Sequence, residues 1–138
     1  MRKALLSVGV GLAFFATFAT SGTAQAAGAS GTITCKATGV YGELDYSNWK
    51  SSAAGSSIDL GLYAYDTLAD GHHVKIRFVS EALSGNKTYW PWRSWYGGKD
   101  TGRAWYTYAS NGANGLYAIS LEVARFEGST KLNSNLCG

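Results

Sequence analysis

IDLGLYAYDTLADGHHVKIRF, residues 58–78, carries the clearest periodic signal in the chain. Ile58, Leu60, Leu62 and Ala64 alternate with Asp59, Gly61, Tyr63 and Tyr65. After Asp70-Gly71 the alternation resumes, with Val74, Ile76 and Phe78 set against Lys75 and Arg77. A period of two belongs to a strand with one buried face. The stretch therefore predicts two strands paired as a hairpin around Asp70-Gly71. If the apolar sets share a face, Leu62 sits opposite Phe78 and Ala64 opposite Ile76, which requires an odd loop with Gly71 in a left-handed bulge position. The same register sets Tyr63 against Arg77 and Tyr65 against Lys75 on the outer face, as cation–aromatic pairs.

Outward from this stretch the pattern stays that of short strands and turns. TITCKATGVY, residues 32–41, is rich in Thr and β-branched residues and reads as a first strand with Gly39 at a bulge. Residues 27–31 read as an exposed tail. Residues 42–55 read as a loop anchored by Tyr46 and Trp49. Pro91 cannot sit in a central strand, so residues 89–100 read as a long loop and 101–109 as a strand. The Asn111-Gly-Ala-Asn-Gly115 sequence is a hairpin turn signal leading into residues 116–126, where Tyr117, Ile119, Leu121 and Val123 share a face. Residues 131–137 complete the pattern as a short edge strand. No segment sustains a 3.6-residue apolar period. The expected fold is all-β, a small antiparallel β-sandwich of about six strands with one disulfide.

Residues 1–26 follow a secretory plan: Arg2 and Lys3, an uncharged run over residues 4–20, then small residues ending in Ala24-Gln25-Ala26. Ser7, Gly9 and Gly11 interrupt the run, so it reads as a removable signal peptide and not as a membrane span. Residues 27–138 are then a single secreted β domain. Without Arg2 and Lys3, ten Lys and Arg stand against nine Asp and Glu. So even a balance lacks the basic footprint of a nucleic-acid binder, and no nucleic-acid partner is expected.

The two cysteines, Cys35 and Cys137, lie near either end of this domain. In an exported chain they are expected to pair, enclosing almost the whole domain.

Chemistry-bearing motifs are sparse. His72-His73 with Asp66 and Asp70 suggests a metal, but adjacent strand residues point to opposite faces, so no metal and no cofactor is assigned. Glu43 and Asp45 form a carboxylate pair that a glycosidase could use, and this leaves a small secreted hydrolase as a minor alternative. No nucleophile elbow or phosphate-cradling glycine motif is present, and the chain reads as non-enzymatic.

The functional signal is aromatic. YWPWRSWYGGKDTGRAWYTY, residues 89–108, interleaves Trp and Tyr with cations. Trp, Tyr and Arg dominate interface hot spots, so Trp90, Trp92, Arg93, Trp95, Tyr96, Lys99, Arg103 and Trp105 are the candidate protein-binding residues. The expected partner is another secreted or cell-surface protein. The competing readings are a polysaccharide lying on the same rings, with Asp100 and Asn86 meeting its hydroxyls, and a set of Trp residues that plugs the end of the sandwich.

The Arg2-Lys3 start, the Ala24-Gln25-Ala26 site, the single cysteine pair and the Cys137-Gly138 end resemble the small exported proteins of filamentous actinobacteria. Trp92-Arg93-Ser94-Trp95-Tyr96 is similar to the Trp-Arg-Tyr triplet of small actinobacterial α-amylase inhibitors, departing by the inserted Ser94 and Trp95 and by the lack of a second disulfide. The resemblance implies either an inhibitor of a partner enzyme or an adaptor subunit of a secreted assembly such as the umbrella toxin particles. It assigns no residue role.

Closing so long a loop stabilises by about 4 to 5 kcal/mol in the chain-entropy model. The intact secreted protein should be lighter than its reduced form by two hydrogens and should melt at a lower temperature once reduced. Two titratable thiols in fresh protein would contradict this.

Overall fold

In the computed structural model, which describes residues 28–51, 55, 57–111 and 114–138, the chain forms nine strands and two antiparallel sheets. The signal-peptide reading of residues 1–26 lies outside the described residues. Sheet A has the order β1 (Ala29–Ala37), β2 (Val40–Trp49), β3 (Ser57–Asp66), β7 (Gly102–Ser110). Sheet B runs β5 (Lys87–Tyr89), β4 (His73–Glu81), β8 (Ala118–Glu127), β9 (Thr130–Cys137), with β6 (Arg93–Trp95) also paired to β4. The all-β sandwich with one disulfide is as expected, but the strands number nine and not six.

Two of the three additional strands, β2 and β6, lie in segments expected to be loops, and β1 extends into the expected tail. The tail at residues 27–31 joins β1 from Ala29, and Gly39, at φ 81°, occupies the β1–β2 turn instead of a bulge. The loop at 42–55 is mostly β2, whose inward set is Val40, Gly42, Leu44 and Tyr46. Glycine at an inward position hid the alternation. Tyr46 and Trp49 do anchor the segment: their rings meet edge-to-face at 5.7 Å, and the Trp49 indole N–H donates to the Leu116 carbonyl at 2.9 Å. The loop at 89–100 contains β6. Pro91 splits what would be one edge strand into β5 and β6, which flank it on the same edge of β4, a place where a missing N–H costs no ladder bond.

The predicted hairpins are corrected more deeply. β3 and β4 do not pair; β3 lies between β2 and β7, while β4 lies beside β8. Their apolar faces meet across the sandwich, so Tyr63 and Tyr65 are on one outer face of the molecule and Lys75 and Arg77 on the other. The connection crosses between sheets and is held by side-chain caps. Asp66 Oδ1 accepts from the Leu68 N–H at 3.0 Å, Asp70 Oδ1 accepts from the His72 N–H at 3.0 Å, and Arg125 donates to Asp70 Oδ2 at 2.7 Å. β7 and β8 likewise belong to different sheets, so the hairpin expected around residues 111–115 does not pair them.

Leu44, Ile58, Leu60 and Leu62 from sheet A and Ile76, Phe78, Leu121 and Val123 from sheet B form the buried core. Cys35 and Cys137 bond across one side of the sandwich, between β1 and β9, with a Cα–Cα distance of 5.5 Å. Asn133 and Asn135 of β9 reinforce that side by donating to the Thr38 and Lys36 carbonyls at 3.0 Å each.

At Gly42 the two sheets approach closely. A Cβ built there would overlap the Val123 methyl and reach Ile76 Cδ1 at 3.0 Å. Gly42→Ala should therefore destabilise the domain by about 1 to 3 kcal/mol through overpacking, even though alanine restricts the unfolded chain. Urea unfolding measures this, and an unchanged or raised midpoint would contradict the close approach.

Candidate functional site

The aromatic stretch is divided between the interior and the surface. Trp90, Trp95 and Trp105 turn inward and pack on the core. The Trp90 ring lies 5.9 Å from Phe78 and its Nε1 donates to Ser80 Oγ at 3.0 Å. Trp95 pairs with Val74 on the inward side of β6 and donates from Nε1 to Thr101 Oγ1 at 2.9 Å; Thr101 in turn donates to the Gly98 carbonyl at 2.6 Å. Trp105 stands opposite Leu62 on β7. These three indoles plug the side of the sandwich away from the disulfide, and the polar tips of Trp90 and Trp95 are satisfied as burial requires. Arg93 lines a cavity of about 200 Å³ there, together with Phe78, Trp90 and Pro91. Arg103 lies 5.6 Å from the Trp105 ring, and Lys99 is exposed, 4.0 Å from Asp100.

Trp92 and Tyr96 face the other way, onto the outer surface of sheet B. There they join residues that the sequence did not connect with them. The Arg77 guanidinium sits between two rings, 4.5 Å from Tyr89 and 4.1 Å from Trp92. Its Nε and Nη2 both reach Glu122 Oε2 at 2.7 Å. Glu122 is only 5% exposed, and Lys131 approaches its other oxygen at 3.3 Å. Trp92 then meets Phe126 edge-on at 5.5 Å, Lys75 lies 4.3 Å over the Phe126 ring, and His73 continues the row between Phe126 at 5.9 Å and Tyr96 at 4.4 Å. The outcome is a ladder of rings along one face, with the cations Arg77 and Lys75 laid against it. Its upper surface is open, with Tyr89 51% and Tyr96 71% exposed. Each cation–ring contact contributes roughly 0.5 to 1 kcal/mol at such sites.

Arg77, Glu122 and Phe126 were missed because they belong to separate strands, whose pairing the sequence does not reveal. The available signal was the outward phase of Lys75 and Arg77, which the hairpin reading assigned to the wrong tyrosines.

The adjacent histidines diverge. His72 Nδ1 lies 3.0 Å from Asp70 Oδ2 and its Nε2 3.6 Å from Glu127. Burial works to raise the Asp70 carboxyl, but the His72 N–H and ring and the Arg125 guanidinium outweigh it and hold the pKa at about 2. His73 is 8% exposed, and its Nε2 has no hydrogen-bond partner among the described residues. Burial, helped by Lys75 and His72, lowers its pKa. Among the described residues no three metal-ligating side chains converge.

Comparison of the chain with family models, curated proteins and solved structures finds no match.

A His73 value below its ordinary 6.5 means that the unfolded chain binds the proton more tightly. Stability is then complete above about pH 6.5 and declines as the pH falls below it, whereas the Asp70 contribution persists until the pH drops from about 4 towards 2. Melting temperatures should fall between pH 7 and 5, and His73→Phe should flatten that fall. An NMR titration placing His73 at or above its ordinary value would overturn the assignment.

Proposed function

We propose that the protein is a secreted, non-catalytic binding module that grips another secreted or cell-surface protein through the ridge of Tyr89, Trp92, Arg77 and Tyr96. It would serve as an adaptor subunit of an extracellular assembly or as an inhibitor of its partner. The observation that carries this reading is the Arg77 guanidinium clamped between the Tyr89 and Trp92 rings and tied to Glu122. Trp, Tyr and Arg are the residues that most often dominate binding energy at interfaces. Here they are ordered before any partner arrives, which reduces the entropy lost on association. The disulfide suits an oxidising compartment.

Among the candidate residues the roles divide. Trp92 and Tyr96 supply contact surface, Trp90, Trp95 and Trp105 pack against the core, and Arg77 joins the ridge through Tyr89 and Trp92.

The test is capture of a partner by the immobilised, disulfide-intact protein from the culture fluid of its source cells, followed by variants. Tyr96→Ala and Trp92→Ala should each weaken binding of the captured protein by about 2 kcal/mol or more; Tyr96→Ala should melt within a few degrees of the parent, while Trp92→Ala should also lose some stability with its contacts to Arg77 and Phe126. Trp95→Ala should instead cost about 3 kcal/mol of folding stability. Capture of a polysaccharide in place of a protein, or parent-like binding by both surface variants, would defeat the proposal.

A further inference from the structure

The opposite outer surface, that of sheet A, has a different chemistry. Strand register places Asp45, Gly61 and Tyr106 in one row across β2, β3 and β7, and Asp59 beside Tyr108 in the next. Tyr106 is 86% exposed. Gly61 has no side chain, and a Cβ built on it would stand 3.4 Å from the Tyr106 ring, so the ring leans over bare backbone. The resulting groove has a volume of about 430 Å³, with Asp45 and Asp59 on its walls and Gly61 in its floor.

The carboxylates set the chemistry that a ligand must complement. Thr32 Oγ1 donates to Asp45 Oδ1 at 2.6 Å, and Asn48 Nδ2 donates to Asp59 Oδ2 at 2.5 Å. Each acid is thus aimed by a neutral donor. Glu43, on the same face, likewise accepts from the Tyr41 hydroxyl at 3.0 Å. Among the described residues no ion pair joins Glu43, Asp45 or Asp59 to a cation, whereas Glu81, Asp70 and Glu122 elsewhere are all paired. Oriented carboxylates with no ion pair among the described residues, beside an exposed tyrosine ring, complement a cation that can donate hydrogen bonds and lie against a π face. A neutral sugar would meet the ring and hydrogen-bond to the carboxylates without neutralising them, whereas a cationic side chain does both.

We propose that this groove binds an arginine or lysine side chain from a basic segment of a partner protein, which gives the domain a second binding face opposite the ring–cation ladder. The two faces are independent, since no residue is shared between them.

The experiment is an amide-resolved NMR titration of the disulfide-intact protein with hexa-arginine, and separately with cellohexaose. Hexa-arginine should shift the amides of Asp45, Gly61 and Thr107, which also lines the groove. Asp45→Asn with Asp59→Asn should weaken that binding by about tenfold, given the loss of two charge-assisted contacts. Glu127→Gln, a carboxylate change in sheet B, and Trp92→Ala should leave it unchanged. Tyr106→Ala provides a second variant on an exposed side chain should the double variant fold poorly, and it too should weaken binding. The proposal is overturned if the Asn variants and Glu127→Gln behave alike, if neither probe moves these amides, or if cellohexaose moves them and hexa-arginine does not.

Discussion

Burial of Ile76 and Phe78 in the shared core sets the position of everything on the outer face of sheet B. Because a strand alternates, their burial forces Lys75 and Arg77 outward. The β4–β8 register then puts Arg77 opposite Glu122. A carboxylate as enclosed as Glu122 is costly without compensation, and it receives Arg77 on one oxygen and Lys131 on the other. The Tyr89 and Trp92 rings cover the guanidinium and shield the pair from water, which strengthens its electrostatics. Those rings can reach it because Pro91 breaks the edge strand and lets Trp90 point inward while Trp92 points outward. The ladder follows from the core by a chain of such requirements.

The sandwich class, the disulfide, the inward set of β8 and the edge position of β9 were legible in the sequence because each rests on local information: alternation, composition or a unique pairing. Strand partners were not. Residues 58–78 give two well-phased strands, and phase alone cannot distinguish a hairpin from two strands facing each other across a core, since both bury the same side chains. β2 was obscured by Gly42, which reads as a turn residue but serves to let Val123 approach.

The candidate site was legible in composition and not in placement. Trp90, Trp92 and Trp95 are close in sequence and identical in type, yet they have opposite fates. What separates them is the parity of each position relative to β4 and the presence of Ser80 and Thr101 to receive the inward indoles. Neither partner is adjacent in sequence. Arg77, the centre of the ladder, lies outside the aromatic stretch and could be assigned only once β4 and β5 were seen to pair.

The Cys35–Cys137 bond spans a sequence separation of 102 residues while its Cα atoms stand 5.5 Å apart. Tension applied to the chain outside those residues therefore passes from one to the other through a single covalent link. The strands between them carry none of it, and the enclosed chain cannot lengthen while the bond is intact. Under pulling or shear, the domain would behave as an inextensible link whose two outer sheet faces keep their shape under load.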